Sequence, residues 1–204
     1  ATMASDVITT SVGVTPSYLA GNPSVDAILT DFVRDLESSN AVITVAAQHS
    51  NWTGTRADTG TTGLGGFTTC PNNATMTVAN CNTWTYKGLD SSNVIYAGEV
   101  DSSDNIPSWS NQAGETHKNQ FIVTSSDYIT TASDGGTHGN SFAAPRVAGA
   151  GALVRHKFPN LSGAQTATTI LHTADDLGVA GVDAVYGHGK LNVGKALSPV
   201  GNLH

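Results

Sequence analysis

The 204-residue chain has little charge. Asp, Glu, Lys and Arg make up 12% of it, with nine Lys or Arg against sixteen Asp or Glu. The basic residues form neither a run nor a stripe, which argues against nucleic acid as a partner. No apolar stretch approaches the ~20 residues that a membrane-spanning helix needs, so no membrane span is expected. The opening residues, ATMASDV, have no basic n-region and no apolar h-region. No signal peptide is visible, and the N-terminus reads as a cut one. Cysteine is scarce too: only Cys70 and Cys81, with ten residues between them in the polar stretch CPNNATMTVANC and no histidine close in sequence. Two cysteines without a nearby histidine are too few for a metal site. The spacing predicts one disulfide clipping a loop, which points to an oxidising compartment and would contribute ~2–3 kcal/mol.

What is present suits a secreted protein. Glycine is abundant (22 residues), Ser, Thr and Asn are frequent, and 39% of residues are hydrophobic, enough for one sizeable core. DVITTSVG (6–13) reads as a short buried strand. SVDAILTDFVRDLESSN (24–40) reads as an amphipathic helix, with Val25, Ile28, Leu29, Phe32, Val33 and Leu36 on one face. AVITVAAQ (41–48) is a continuous apolar run, hence a strand covered on both faces. Strand, helix and strand in that order predict a right-handed βαβ unit in a parallel sheet. NVIYAGEV (93–100), NQFIVTS (119–125) and YITTA (128–132) read as further strands. Residues 49–90 are rich in Gly, Thr and Asn without periodicity; a connection this long should carry function or a hairpin of its own. The fold class is therefore α/β, a parallel sheet flanked by helices, in one domain.

Two helices are expected toward the C-terminus. The stretch from Ser141 to Phe158 is dense in Ala and Gly, which lets a helix lie close against a sheet, and Pro145 places its start near Ser141. SGAQTATTILHTA (162–174) follows, with Ser162 as N-cap. YGHGKLNVGKAL (186–197) closes the chain with a Gly-rich turn, a short strand and a last helical turn.

Ser141 is the residue with chemical promise. It sits where a loop, GTHGN, becomes a helix. The first turn of a helix offers unpaired N–H groups and the positive end of the dipole, which favour an oxyanion. Small neighbours, Gly139 and Ala143, leave room for a substrate backbone. A serine there is equally at home as a helix cap, and these residues alone leave both readings open.

The wider pattern resembles the subtilisin-like serine proteases. GNSFAAPRVAG is similar to their nucleophile motif, G-T-S-x-A-x-P-x-V-A-G, at Gly139, Ser141, Ala143, Pro145, Val147, Ala148 and Gly149, with Asn140 in place of the Thr. Ser11, Val12 and Gly13 resemble the strand end that pairs with the substrate backbone. VITVAA resembles the strand whose two alanines, here Ala46 and Ala47, wall the primary specificity pocket. The segment TADDLGVAGVDAVYGHGKLNVGKAL resembles the closing segment of secreted and autotransporter-type bacterial members. The resemblance covers nearly the whole chain except the cysteine-containing insertion. It implies a subtilisin-like three-layer sandwich, of which residues 1–204 are the C-terminal portion, secreted or at the cell surface. It also implies a serine endopeptidase acting through an acyl-enzyme on Ser141.

The resemblance also implies what is missing. The family's triad runs Asp, His, Ser along the chain. Its Asp and His belong before the segment resembled by Ser11 to Gly13, so the base is expected on a stretch preceding Ala1, as a separate cleaved chain or an upstream part. That N-terminal half is the expected partner, with protein or peptide substrates. His138 is three residues from Ser141, and the other six histidines (49, 117, 156, 172, 188 and 204) have no motif support. The family's oxyanion donor is an Asn after the two alanines; here Gln48 and His49 occupy the matching positions, and Asn51 follows. His49 can donate through a ring N–H, and Asn51 serves if the loop is two residues longer. Those substitutions keep a second reading in play, a non-catalytic relative used for binding or assembly. Calcium is common in such proteases, but Asp101, Asp104, Asp175 and Asp176 form no EF-hand-type cluster, so no cofactor or metal site is assigned.

Overall fold

The computed structural model describes residues 6–10, 28, 31–32, 34–47, 91–107, 110–125 and 139–198. Ser11, Val12, Gly13, His49, Asn51, Cys70, Cys81, His138 and the expected strand at 128–132 lie outside these residues.

Four strands, β1 (Val7–Thr10), β2 (Val42–Ala46), β3 (Val94–Val100) and β4 (Phe121–Ser125), pair in parallel in sequence order. The register sets Val7 beside Val42, Ile43 beside Val94 and Tyr96 beside Phe121. Every residue of β2 and β3 is buried, as continuous apolar runs require when both faces of a sheet are covered. Successive side chains enter two separate cores. Ile43, Val45, Tyr96, Phe121 and Val123 pack on one face with Leu36, Ile106 and Ala113. Val42, Ala46, Ile95, Ala97 and Ile122 pack on the other against the helices. The architecture is thus α/β, in three layers.

Between β3 and β4 lies a short helix, α1 (Gly114–His117), continued by a 3₁₀ turn at Lys118–Gln120. The long helix α2 (Asn140–Lys157) follows β4 and buries Ala143, Ala144, Val147, Ala148, Ala150, Gly151 and Val154. Its small residues bring it close to the sheet. A Cβ at Gly151 would lie 2.9 Å from Val42 Cγ1, whereas one at Gly149 would meet nothing. Arg155, His156 and Lys157 complement the dipole in its last turn. Arg155 Nη2 donates to Asp6 Oδ1 (2.6 Å), tying this end of α2 to the start of β1. Helix α3 (Gly163–His172) begins in a capping box: Ser162 Oγ accepts from Gln165 N (3.1 Å) and Gln165 Oε1 accepts from Ser162 N (2.9 Å).

Four elements differ from expectation. β1, expected as a buried strand, is half-buried or exposed, since among the described residues only β2 pairs with it. The helix expected over 24–40 is present at the described residues 28, 31–32 and 34–37; Leu36 is buried, while Ile28 and Phe32 of the same apolar stripe are 66% and 39% exposed. The short strand expected within 186–197 forms isolated bridges instead: Lys190 pairs with Val123 in parallel and with Asp175 antiparallel. Gly187 and Gly189 on either side of His188 have φ of +62° and +99°, values that break a regular strand. The last helical turn is present as α4 (Val193–Ala196). Finally, α2 starts one residue earlier than expected, at Asn140.

Candidate active site

Ser141 is the second residue of α2, and it is exposed. The N-cap is Gly139, and no side chain caps the helix. The N-cap position is thus taken by Gly139 and not by Ser141. Gly139 holds φ 148° and ψ 150°, a conformation open essentially to glycine alone. It turns the chain so that the Asn140 side chain goes inward, fully buried, while Ser141 goes outward. Phe142 N donates to Gly139 O (2.8 Å), a tight first turn. Pro145 sits inside the helix and has no N–H to offer the Ser141 carbonyl four residues back.

The position of this turn follows from the packing. Gly151 of α2 sits over Val42, at the start of β2. Ser141 lies ten residues earlier, ~15 Å along the helix, toward the C-terminal ends of the strands. That is where β2 ends at Ala46 and Ala47, both buried. Being consecutive in an extended strand, the two alanines face opposite sides: Ala46 belongs to the core under α2 with Ala143 and Ala144, and Ala47 to the other. A pocket wall made by both is therefore a backbone wall, with one side chain on each face.

A buried polar pair joins these two elements. Ser110 Oγ donates to Asn140 Oδ1 (2.9 Å), and Asn111 Nδ2 donates to Ala47 O (2.7 Å). Ser110, Asn111 and Asn140 are fully buried. Nothing in SWSNQAG marks Ser110 and Asn111 as more than a polar turn; their partners lie 30 and 64 residues away, beyond any local pattern. A second buried polar residue without a sequence signal is Glu99, on the α2 face of β3 two residues beyond Ala97 and beside Thr124.

The described histidines stand away from Ser141. His117 packs tilted by 45° against Tyr96 (4.7 Å between ring centroids), whose side chain lies on the face of the sheet opposite α2. His156 is fifteen residues along α2, ~22 Å distant. His172 and His188 stack on each other (5.2 Å), and His188 Nε2–H donates to the Asn119 carbonyl (3.1 Å), at the N-terminal end of β4. Burial holds the His188 imidazole below its ordinary value of 6.5, against the hydrogen bond to Asn119 and with the help of His172.

The four aspartates do not converge on an ion. Asp101 Oδ1 accepts from Ser103 N (2.8 Å) and Asn105 N (2.9 Å). Asp104 pairs with Lys190, and Asp175 with Lys195 (2.7 Å). Asp176 Oδ2 accepts from Gly181 N (2.9 Å). Each carboxylate is engaged by donors of this chain. Among the described residues no group of three or more His, Cys, Asp or Glu is arranged to hold a metal, and no described helix is long and apolar enough to cross a membrane.

Comparison with known proteins places this arrangement. The chain is 47% identical over 60 residues to the Neisserial autotransporter lipoprotein NalP of Neisseria meningitidis, a match spanning 29% of this chain and 6% of that protein. It is 42% identical over 64 residues to an extracellular serine protease of Serratia marcescens, spanning 31% of this chain and 6% of the relative. The chain thus spans a small fraction of these relatives. In fold it is similar to a lanthipeptide protease, with a TM-score of 0.62 and 20% identity, over 96% of this chain and 61% of that one. The parallel sheet, the exposed serine at the start of the small-residue helix and a match of the subtilase family model to residues 2–189 agree, and the chain belongs to the subtilase family.

Proposed function

We propose that this chain is the nucleophile-bearing part of a secreted or surface serine endopeptidase. The observation that carries the reading is Ser141 itself: exposed, and in the first turn of a helix whose N-cap is Gly139. Ser141 Oγ attacks the scissile carbonyl while a histidine takes its proton and passes it to the leaving amine. That histidine and the aspartate that orients it come from a segment outside these 204 residues, as an upstream stretch or a separate polypeptide. The oxyanion is bound by the Ser141 N–H and by the side chain of His49 or Asn51. Ser11, Val12 and Gly13 hold the substrate as an added strand, and Ala46 and Ala47 back a roomy pocket for an apolar residue before the cut. The Cys70–Cys81 disulfide clips the insertion at 49–90 and suits an oxidising compartment. Extracellular placement is supported by what the names of the relatives state of them.

The test is a fluorophosphonate probe on the protein as secreted, followed by peptide mapping. Stoichiometric labelling of Ser141, lost in Ser141→Ala, is the expected result. A denaturing separation of the same sample should yield an Asp- and His-bearing segment, either upstream in the same polypeptide or as a second one. Absence of labelling with that segment present overturns the reading in favour of a non-catalytic relative.

A further inference from the structure

We infer that His172 and His188 form a two-imidazole site for a late first-row divalent cation, of the class of Zn(II), Ni(II) or Cu(II). The inference does not depend on Ser141 being a nucleophile. His172 is the last residue of α3, and His188 lies in the closing turn beside β4. Their ring centres are 5.2 Å apart, with planes inclined by 24°. Together with Asn119 and Val182 they line an open depression of about 510 Å³. Two imidazoles that share a tetrahedral ion through Zn–N bonds of ~2.0–2.1 Å hold their ring centres about 5 Å apart, close to the spacing of this pair. The ring of His188 is already in the state a ligand needs. Its Nε2–H donates to the Asn119 carbonyl (3.1 Å). That bond fixes the tautomer and leaves the lone pair on Nδ1. A backbone carbonyl on the far nitrogen is the usual support of a metal-bound histidine. His172 is exposed, so a turn about its own side-chain bonds is all that aiming its nitrogen requires.

The backbone holds the pair in place. Asp175 and Lys190 exchange two backbone hydrogen bonds (2.8 and 2.7 Å), three residues after His172 and two after His188. His188 N donates to Phe121 O (2.9 Å), which pins the same turn to β4. Both ligands stand on fixed supports, and a bound ion orders only one exposed side chain. Two neutral nitrogens select ions that favour imidazole, whereas calcium and magnesium take oxygen ligands. The carboxylates of the intervening turn are engaged elsewhere. Asp176 accepts from Gly181 N, and Asp183 from the amides of Val179, Val185 and Tyr186. The remaining positions around the ion fall to water, for which the open depression has room. A cation in the last turn of α3 would complement the helix dipole, but a lysine does that without a second imidazole beside it. An ion held by both rings joins the end of α3 to the segment that covers β4, and binding to the folded chain alone stabilises it.

The experiment titrates Zn(II) and Cu(II) into the full-length protein under non-reducing conditions. It compares the wild type with His172→Gln, His188→Gln and a control, His156→Gln, at an exposed position of α2. It reads the calorimetric isotherm, the pulsed paramagnetic resonance of bound Cu(II), and the thermal midpoint with and without Zn(II). His172→Gln and His188→Gln should each weaken one Zn(II) site of the wild type at least ~10-fold, since substitutions outside the ligand shell already cost that much. His156→Gln should leave that site unchanged, and Ca(II) should not displace the ion. The copper spectrum should show two coupled imidazole nitrogens in the wild type and one fewer in each variant. Zn(II) should raise the thermal midpoint of the wild type by more than that of either variant. Identical isotherms for the wild type and His172→Gln overturn the inference, as does an equal count of coupled nitrogens in the two. None of these readings uses peptidase activity, so they stand whether or not Ser141 reacts with a fluorophosphonate. If His188→Gln does not fold, His172→Gln decides alone, because its ring is exposed and the His188–Asn119 bond stays in place.

Discussion

The two outer strands of the sheet are finished in different ways. Along the open side of β4 the chain lays its own closing segment: His188 N donates to Phe121 O (2.9 Å), Val123 N to Gly189 O (2.9 Å) and Leu191 N to Val123 O (2.8 Å). Asp175 and Lys190 exchange a second pair of backbone bonds (2.8 and 2.7 Å), locking that segment to the end of α3. At the other side, β1 pairs with β2 alone among the described residues, and its residues are half-buried or exposed. Beyond its ladder with β2, a side-chain pair, Arg155–Asp6, ties its start to α2. One edge is thus built from backbone geometry and the other from a side-chain contact. The first should unfold with the whole domain, and the second should open locally at lower free energy.

The strongest way to break the β4 side is at Gly189. It has φ +99°, and a Cβ would stand 2.1 Å from the Asp175 carbonyl oxygen. Gly189→Ala should therefore cost about 3 kcal/mol or more in chemical denaturation, combining backbone strain with a clash that nothing flexible can relieve. Gly149→Ala is the contrasting substitution. It lies mid-helix with open space where the methyl would go, and should stabilise by ~0.5–1 kcal/mol. Equal effects at the two positions would dissolve the argument that backbone geometry holds this edge.

The β1 side should yield to a smaller perturbation. Arg155 is 10% exposed, while Asp6 is 74% exposed. The guanidinium also donates to the Leu161 carbonyl through Nη1. Arg155→Ala removes both bonds and leaves a part-buried carbonyl short of a donor, so a loss of about 1 kcal/mol is expected. Hydrogen exchange should quicken at Val7–Thr10 and stay unchanged at Phe121–Val123. If β1 keeps its protection, another segment holds that edge, and the partner expected upstream becomes the first place to look.

What could be read from the sequence follows the same division. AVITVAAQ and NVIYAGEV announce buried strands because both faces of the sheet are covered, and their residues in β2 and β3 are buried throughout. The run of Ala and Gly after Ser141 announces a helix lying close to a sheet, and Gly151 against Val42 is that closeness in detail. Ser162 announces a cap, to which Gln165 adds the reciprocal bond. Periodicity reports local environment, however, and three features depend on distant ones. Ile28 and Phe32 share the apolar stripe of Leu36, yet only Leu36 reaches the core. The bridges of Lys190 rely on two glycines whose conformation the composition hints at but does not place. Ser110 and Asn111 look like turn residues because their partners are remote in sequence. The opposed faces of Ala46 and Ala47 were within reach of the period-two rule, which applies to any consecutive strand pair.

The smallest expected effect would separate the two edges by pH. His188 lies on the β4 side, its backbone N–H on Phe121 O and its ring on the Asn119 carbonyl. Burial lowers its pKa below 6.5, the hydrogen bond to Asn119 opposes this, and His172, 5.2 Å away, adds to the lowering. The unfolded chain then binds a proton more readily than the folded one. Stability from this group is fully present above about 6.5, declines as pH falls from there toward the lowered folded value, and is constant below it. The ring is half-buried and the depression beside it is open, so the thermal midpoint should fall only slightly as pH drops through that range. His188→Gln should flatten that part of the profile. The exchange rates of Val7–Thr10 should not respond to pH beyond the intrinsic chemistry of exchange, because no described histidine touches β1. Acid loosening of β1 before β4 would show that the two edges are coupled through the sheet, and that the division between a backbone-built and a side-chain-built edge does not extend to their energetics.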